Sequence, residues 1–93
     1  MKDINDELLD KYFKITSEAL AKAKDAFNRE KLEQAKDFFN MANSYYEDAI
    51  FFREKGDFVK AYGCLNYSHG WLDAGARIRI FEVNDSRLFT VDD

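Results

Sequence analysis

No proline occurs anywhere in the 93-residue chain, and its four glycines all lie at or beyond position 56. Proline breaks a helix by removing a donor and clashing with the preceding turn, and glycine weakens one through backbone freedom. Nothing local therefore interrupts helix in the first half, and hydrophobic periodicity must set the boundaries. Leu8, Tyr12, Ile15, Thr16, Ala19, Ala23 and Ala26 recur at spacings of three and four, flanked by Leu9, Leu20 and Phe27. A second, more aromatic stripe follows in Ala35, Phe38, Phe39, Ala42, Tyr45, Tyr46, Ala49 and Phe52. At 100° per residue it is rotated by about a third of a turn from the first, so one straight helix cannot bury both stripes in one place. A break is expected at Asn28 to Lys31, with Asn28 suited to the left-handed conformation that ends many helices.

Lys55-Gly56-Asp57 places a last-turn cation, a C′ glycine and an Asp N-cap in succession, the makings of a tight antiparallel turn. A third helix then carries Phe58, Ala61, Tyr62, Leu65, His69, Leu72, Ala76 and Ile80 inward. Cys64, Tyr67, Trp71, Ala74, Ile78 and Phe81 form a second apolar face roughly opposite, more than a peripheral helix needs. Either the tail, through Leu88, Phe89 and Val91, or a second copy of the chain must cover it. The expectation is a single all-α domain, an up-and-down (antiparallel) three-helix bundle, with helices over about 4–27, 31–55 and 58–81 and a short C-terminal tail over 82–93.

A chain this short removes only about two-thirds of its unfolded surface from water, so the core must be efficient. Nine Phe, five Tyr and one Trp make that feasible, since each buries much area. The lone Cys64 excludes an internal disulfide and, with one His, leaves no zinc set. The N-terminal residues lack the apolar run of a signal peptide, and no stretch approaches the roughly 20 apolar residues of a membrane helix, so a soluble cytoplasmic protein is expected. The net charge of −4 argues against broad capture of nucleic acid. Lys22, Lys24, Arg29, Lys31 and Lys36 cluster near one helix junction, where they read first as cations offsetting a helix dipole.

The usual enzymatic starting points are missing: one histidine, no glycine-rich phosphate loop, no metal-spaced cluster. No catalytic residue, metal or cofactor is expected. The best polar constellation is Asn66, His69, Gly70 and Asp73, with His69 and Asp73 four apart on one helix face. A hairpin turning at Gly56 would set Tyr45 opposite His69 and Asp48 opposite Asn66, making six tentative ligand-binding positions. The competing reading is a buried histidine satisfied by Tyr45 or Asp73, and it comes first because a lone His on an apolar stripe is usually core polarity. Glu47, Asp48 and Glu54 lack the Glu-x-x-His pairs of di-iron bundles. Gly63 and Gly70, seven apart, suggest close approach of another helix, and Cys64 reads as an inert thiol.

Met41-Ala42, Ser44-Tyr45-Tyr46, Asp48-Ala49, Phe52, Glu54-Lys55-Gly56-Asp57, Ala61, Leu65-Asn66-Tyr67 and His69-Gly70-Trp71-Leu72-Asp73-Ala74-Gly75 together resemble the archaeal domain-of-unknown-function family 357. The resemblance spans about Tyr12 to Phe81 and is most specific from Lys55 to Gly75. Ser68 stands where a small apolar residue would be expected, and the tail falls outside. It implies an archaeal cytosolic three-helix bundle and no assigned activity. Gly56-Asp57-Phe58 with Ala61 also looks like a tetratricopeptide turn, but one turn is not an array. Helical ribonuclease domains place an Arg a few residues before the His, whereas here Arg53 is the nearest preceding arginine. The leading functional expectation is a non-enzymatic interaction or assembly module, through a protein partner or self-association, with Tyr67, Trp71, Ile78 and Phe81 as contact residues. The alternative is a small-ligand or nucleotide-binding bundle using the polar cluster.

Overall fold

The computed structural model describes residues 3–91. Three helices, α1 (Asp6–Lys24), α2 (Leu32–Glu54) and α3 (Phe58–Arg77), run up, down and up, and a single 3₁₀ turn, Arg29–Lys31, leads into α2. Asn5 caps α1, its side chain accepting from the Leu8 amide at 2.9 Å, and Asp6 and Glu7 face the positive end of the dipole. α1 stops at Lys24, three residues before the expected end. Asn28 is extended (φ −67°, ψ 117°) rather than left-handed, and its Oδ1 accepts from the Glu30 amide to cap the 3₁₀ turn. Its own amide donates to the Ile80 carbonyl at 2.9 Å and Glu82 donates to Ala26 at 2.7 Å, forming an antiparallel bridge between Phe27 and Phe81. The chain between α1 and α2 thus leaves helix to pair with the segment after α3, a long-range contact with no local signature.

The α2–α3 hairpin turns as its residues dictate. Gly56 has φ 79°, its amide bonds to Arg53 O and the Asp57 amide to Phe52 O, the paired bonds of a Schellman motif. Asp57 then accepts from the Lys60 amide and starts α3. Ala35, Ala42 and Ala49, seven residues apart, are each fully buried on α2, and such small side chains let α3 lie close.

α3 ends at Arg77 rather than 81, through a second Schellman motif in which Arg79 donates to Ala76 O and Ile80 to Gly75 O. Here the C′ residue is Arg79, at φ 62°. Ile80 and Phe81 turn back into the core at 1% and 0% exposure, the Phe81 ring lying directly over Gly75.

The core has two parts. One, near the hairpin turn, gathers Leu9, Ala49, Ala61 and Leu65; the other gathers Ala19, Leu20, Ala23, Leu72 and Ala76 with Ile80, Phe81, Leu88 and Phe89 from beyond α3. Tyr46 packs against both. The tail is therefore a core element, seated between α1 and α3. Arg87 reaches Glu18 at 2.9 Å and Lys22 reaches Asp85 at 3.0 Å. The molecule is a slab of 42 × 25 × 18 Å, its shortest dimension fitting two helical layers about 8–10 Å apart: the α2–α3 hairpin, and α1 with the tail. No helix among the described residues is long and apolar enough to cross a membrane.

Candidate functional site

Hairpin register decides which α3 side chains meet α2. Ser68, fully buried, donates to the Ala42 carbonyl at 2.7 Å, and Tyr67 stacks on Tyr45 with ring centroids 4.7 Å apart. His69, one residue and about 100° further round, is turned towards α1 and the tail. The expected opposition of Tyr45 and His69 is thus corrected: the closer register gives α2 Ser68, and the hydroxyl that breaks the apolar pattern is satisfied by a backbone carbonyl.

His69 has partners on two other elements. Nε2 contacts the Leu88 carbonyl, which can only accept, so Nε2 carries a proton; Nδ1 lies 3.2 Å from Thr16 Oγ1, within hydrogen-bond reach. Asp73 accepts from the Thr90 amide at 2.8 Å and stands 3.9 Å from His69 Nε2. Asn66, His69, Gly70 and Asp73 share a shallow hollow of about 360 Å³ with Thr16 and Arg87. Tyr45 is not among its lining residues, and Asp48 acts on the Cys64 thiol instead, so the six ligand-binding positions divide four and two. Every buried side-chain nitrogen and oxygen among the described residues has a hydrogen-bond partner. The polar cluster holds the tail down.

A different surface is left open. The outer side of the α2–α3 layer carries an apolar hollow of about 470 Å³ lined by Phe38, Tyr67, Gly70, Trp71 and Ala74. Trp71 stands edge-on to Phe38 at 5.0 Å, while Tyr67 and Ile78 are 60% and 51% exposed. No tail residue among the described residues lines this hollow. Of the four expected contact residues, Tyr67 and Ile78 are exposed and Trp71 is half-buried, packing on the core cluster while it lines the hollow, whereas Phe81 is buried and cannot be a contact residue. Gly70 belongs to the open face as well as to the polar hollow, because no side chain there separates them.

The sequence pattern of the family described as protein of unknown function, DUF357, matches residues 11–81, well over half the chain. The chain belongs to that family. No curated protein and no solved structure matches it. The DUF357 span contains α2, α3 and most of α1, hence the lining of the open face, and it stops at Phe81, just before the tail. Leu88, Thr90 and Arg87, which engage His69, Asp73 and Glu18, lie outside it.

Cys64 and two members of the basic cluster of this DUF357 chain are structurally engaged. Burial pushes the half-buried Cys64 thiol above its ordinary pKa, and the Asp48 carboxylate adds to the shift, so little nucleophilic thiolate forms at neutral pH. Of the basic cluster, Lys22 pairs with Asp85, and Lys31 donates to the Ile78 carbonyl at 3.0 Å, offsetting the end of α3. No group of three His, Cys, Asp or Glu side chains among the described residues could hold a metal.

Proposed function

We propose that this DUF357 chain is a non-enzymatic interaction module of the cytoplasm, binding another protein surface through the outer face of its α2–α3 layer. One observation carries the reading: a hollow of about 470 Å³, walled by Phe38, Tyr67, Trp71 and Ala74 and floored by Gly70, is lined by no tail residue among the described residues. Aromatic side chains around a shallow apolar depression are the usual anchors of protein contacts. The small-ligand reading lacks such support, because His69 and Asp73 are already occupied by Leu88 and Thr90.

The test is photo-cross-linking in cells that naturally make the protein, with a benzophenone side chain at Tyr67 and, as control, at the exposed Lys14 on α1. A discrete protein adduct at position 67 and none at 14 is the expected outcome. No adduct at 67, or the same adducts at both, overturns the proposal.

A further inference from the structure

At the end of α3 away from the Gly56 turn, an open cleft of about 700 Å³ separates the chain before α2 from the chain after α3. Asn28 lines it from the first, Arg77 and Arg79 from the end of α3, and Val83, Asn84 and Val91 from the tail. The buried Ala76 and Phe81 give it an apolar base. It shares no lining residue with the outer-face hollow or with the hollow beside His69.

Long-range bonds fix its rim. Asn28 Oδ1 accepts from the Glu30 amide, its Nδ2 donates to the Arg79 carbonyl at 2.9 Å, and the Phe27–Phe81 bridge ties the two segments together. A side-chain amide carries two hydrogens, and the bond to Arg79 uses one.

Arg79 occupies the left-handed C′ position of α3, at φ 62°, where a Cβ crowds the backbone and glycine fits without strain. Among the described residues its guanidinium has no ion-pair or ring partner. The helix end does not call on it either, because Lys31 Nζ donates to the Ile78 carbonyl at 3.0 Å and Asn28 to that of Arg79. Those two bonds also screen the cleft from the negative end of the α3 dipole. A strained position that keeps a long cation without internal use points to a ligand outside the chain.

Two arginines and one glutamate, Glu82, line the cleft of a chain whose net charge is −4, and the Lys31 ammonium is bonded between the arginines at Ile78. Arg77 is also engaged within the chain, so Arg79 is the principal cation. A guanidinium presents paired N–H donors that match phosphate oxygens, and more than one nearby cation favours a dianion over a carboxylate. The volume exceeds the needs of bare phosphate and falls within the roughly 300–1,000 Å³ of sites for small organic ligands.

We propose that this cleft binds a small phosphomonoester, its phosphate on Arg79 and the side-chain amides of Asn28 and Asn84, and its apolar body against Phe81, Val83 and Val91. The site is separate from the outer face of the α2–α3 layer and does not rest on the protein-binding reading.

The test follows backbone amide shifts of the full chain by NMR as phenyl phosphate is added at constant ionic strength. Saturable shifts centred on Asn28, Arg79 and Val83 are expected, with weaker binding of inorganic phosphate and of benzoate. Arg79→Gly should weaken binding about tenfold or more yet raise the melting temperature, since glycine relieves the left-handed strain. Arg79→Gln, which keeps a side chain at the strained position, should lose binding equally. Lys24→Gln removes a charge at the same end of the bundle and should leave affinity unchanged. No saturable shift with phenyl phosphate, wild-type affinity in Arg79→Gly, or a melting temperature lowered by that change overturns the site. An equal loss in Lys24→Gln reduces it to general attraction by the basic end and overturns it too. Equal affinity for inorganic phosphate or for benzoate overturns the phosphomonoester as its ligand.

Discussion

Gly63, Gly70 and Gly75 share one helix, yet a methyl group added at each meets a different environment. At 63 and 70 it enters open space, whereas at 75 it overlaps the Phe81 ring and presses on Ile80. Gly63→Ala and Gly70→Ala should each raise unfolding free energy by about 0.5–1 kcal/mol through helix propensity alone. Gly75→Ala should lower it by about 1–3 kcal/mol, because the aromatic ring must leave its site. Urea denaturation of the three variants checks the pattern, and a stabilising Gly75→Ala would mean that Phe81 is not held over α3. From the sequence, Gly56 was legible because Lys55 and Asp57 complete a local cap. Gly75 was not, because its constraint comes from a residue in the following loop. Arg79 hid the end of α3 for a related reason: a left-handed C′ position is read from glycine, and here arginine occupies it.

Among the elements, the tail depends most visibly on electrostatics. The Lys22 ammonium beside Asp85 holds its carboxyl below the ordinary carboxylate range against some desolvation, and the Arg87 amide assists. A carboxyl depressed in the folded state binds its proton more readily once the tail is released. Its contribution is therefore fully present above the ordinary aspartate pKa and is lost as pH falls through the lower, folded value. Hydrogen exchange at the Leu88 and Phe89 amides, both bonded to the Asp85 carbonyl, should accelerate on acidification beyond the intrinsic chemistry, and this excess should vanish in Asp85→Asn. An unchanged excess in that variant would assign the effect to another group. Leu88 and Phe89 were visible as apolar residues in need of burial, but their docking groove between α1 and α3 was not. It exists only once the hairpin register has turned His69 and Asp73 towards α1.

At the scale of the whole molecule the two core clusters pose a question of cooperativity. The tail contributes Leu88 and Phe89 to one cluster only, and the other, around Leu9, Ala49, Ala61 and Leu65, lies near the hairpin turn. Yet α1, α2 and α3 each supply residues to both, and Tyr46 touches both, so neither cluster has helices of its own. Half of one of these helices is too short to persist in water without its packing partner. Loss of one cluster therefore removes the support of the other, as expected of a small domain that unfolds in one step. Leu88→Ala, a truncation at 2% exposure, should cost about 2–5 kcal/mol, a large part of the roughly 5–14 kcal/mol available to a domain of this size. Amide exchange in that variant should lose protection by the same factor near Leu9 and Leu65 as near Ala23 and Leu72. If the hairpin-turn end kept its protection while the tail end lost it, the molecule would consist of two separable halves.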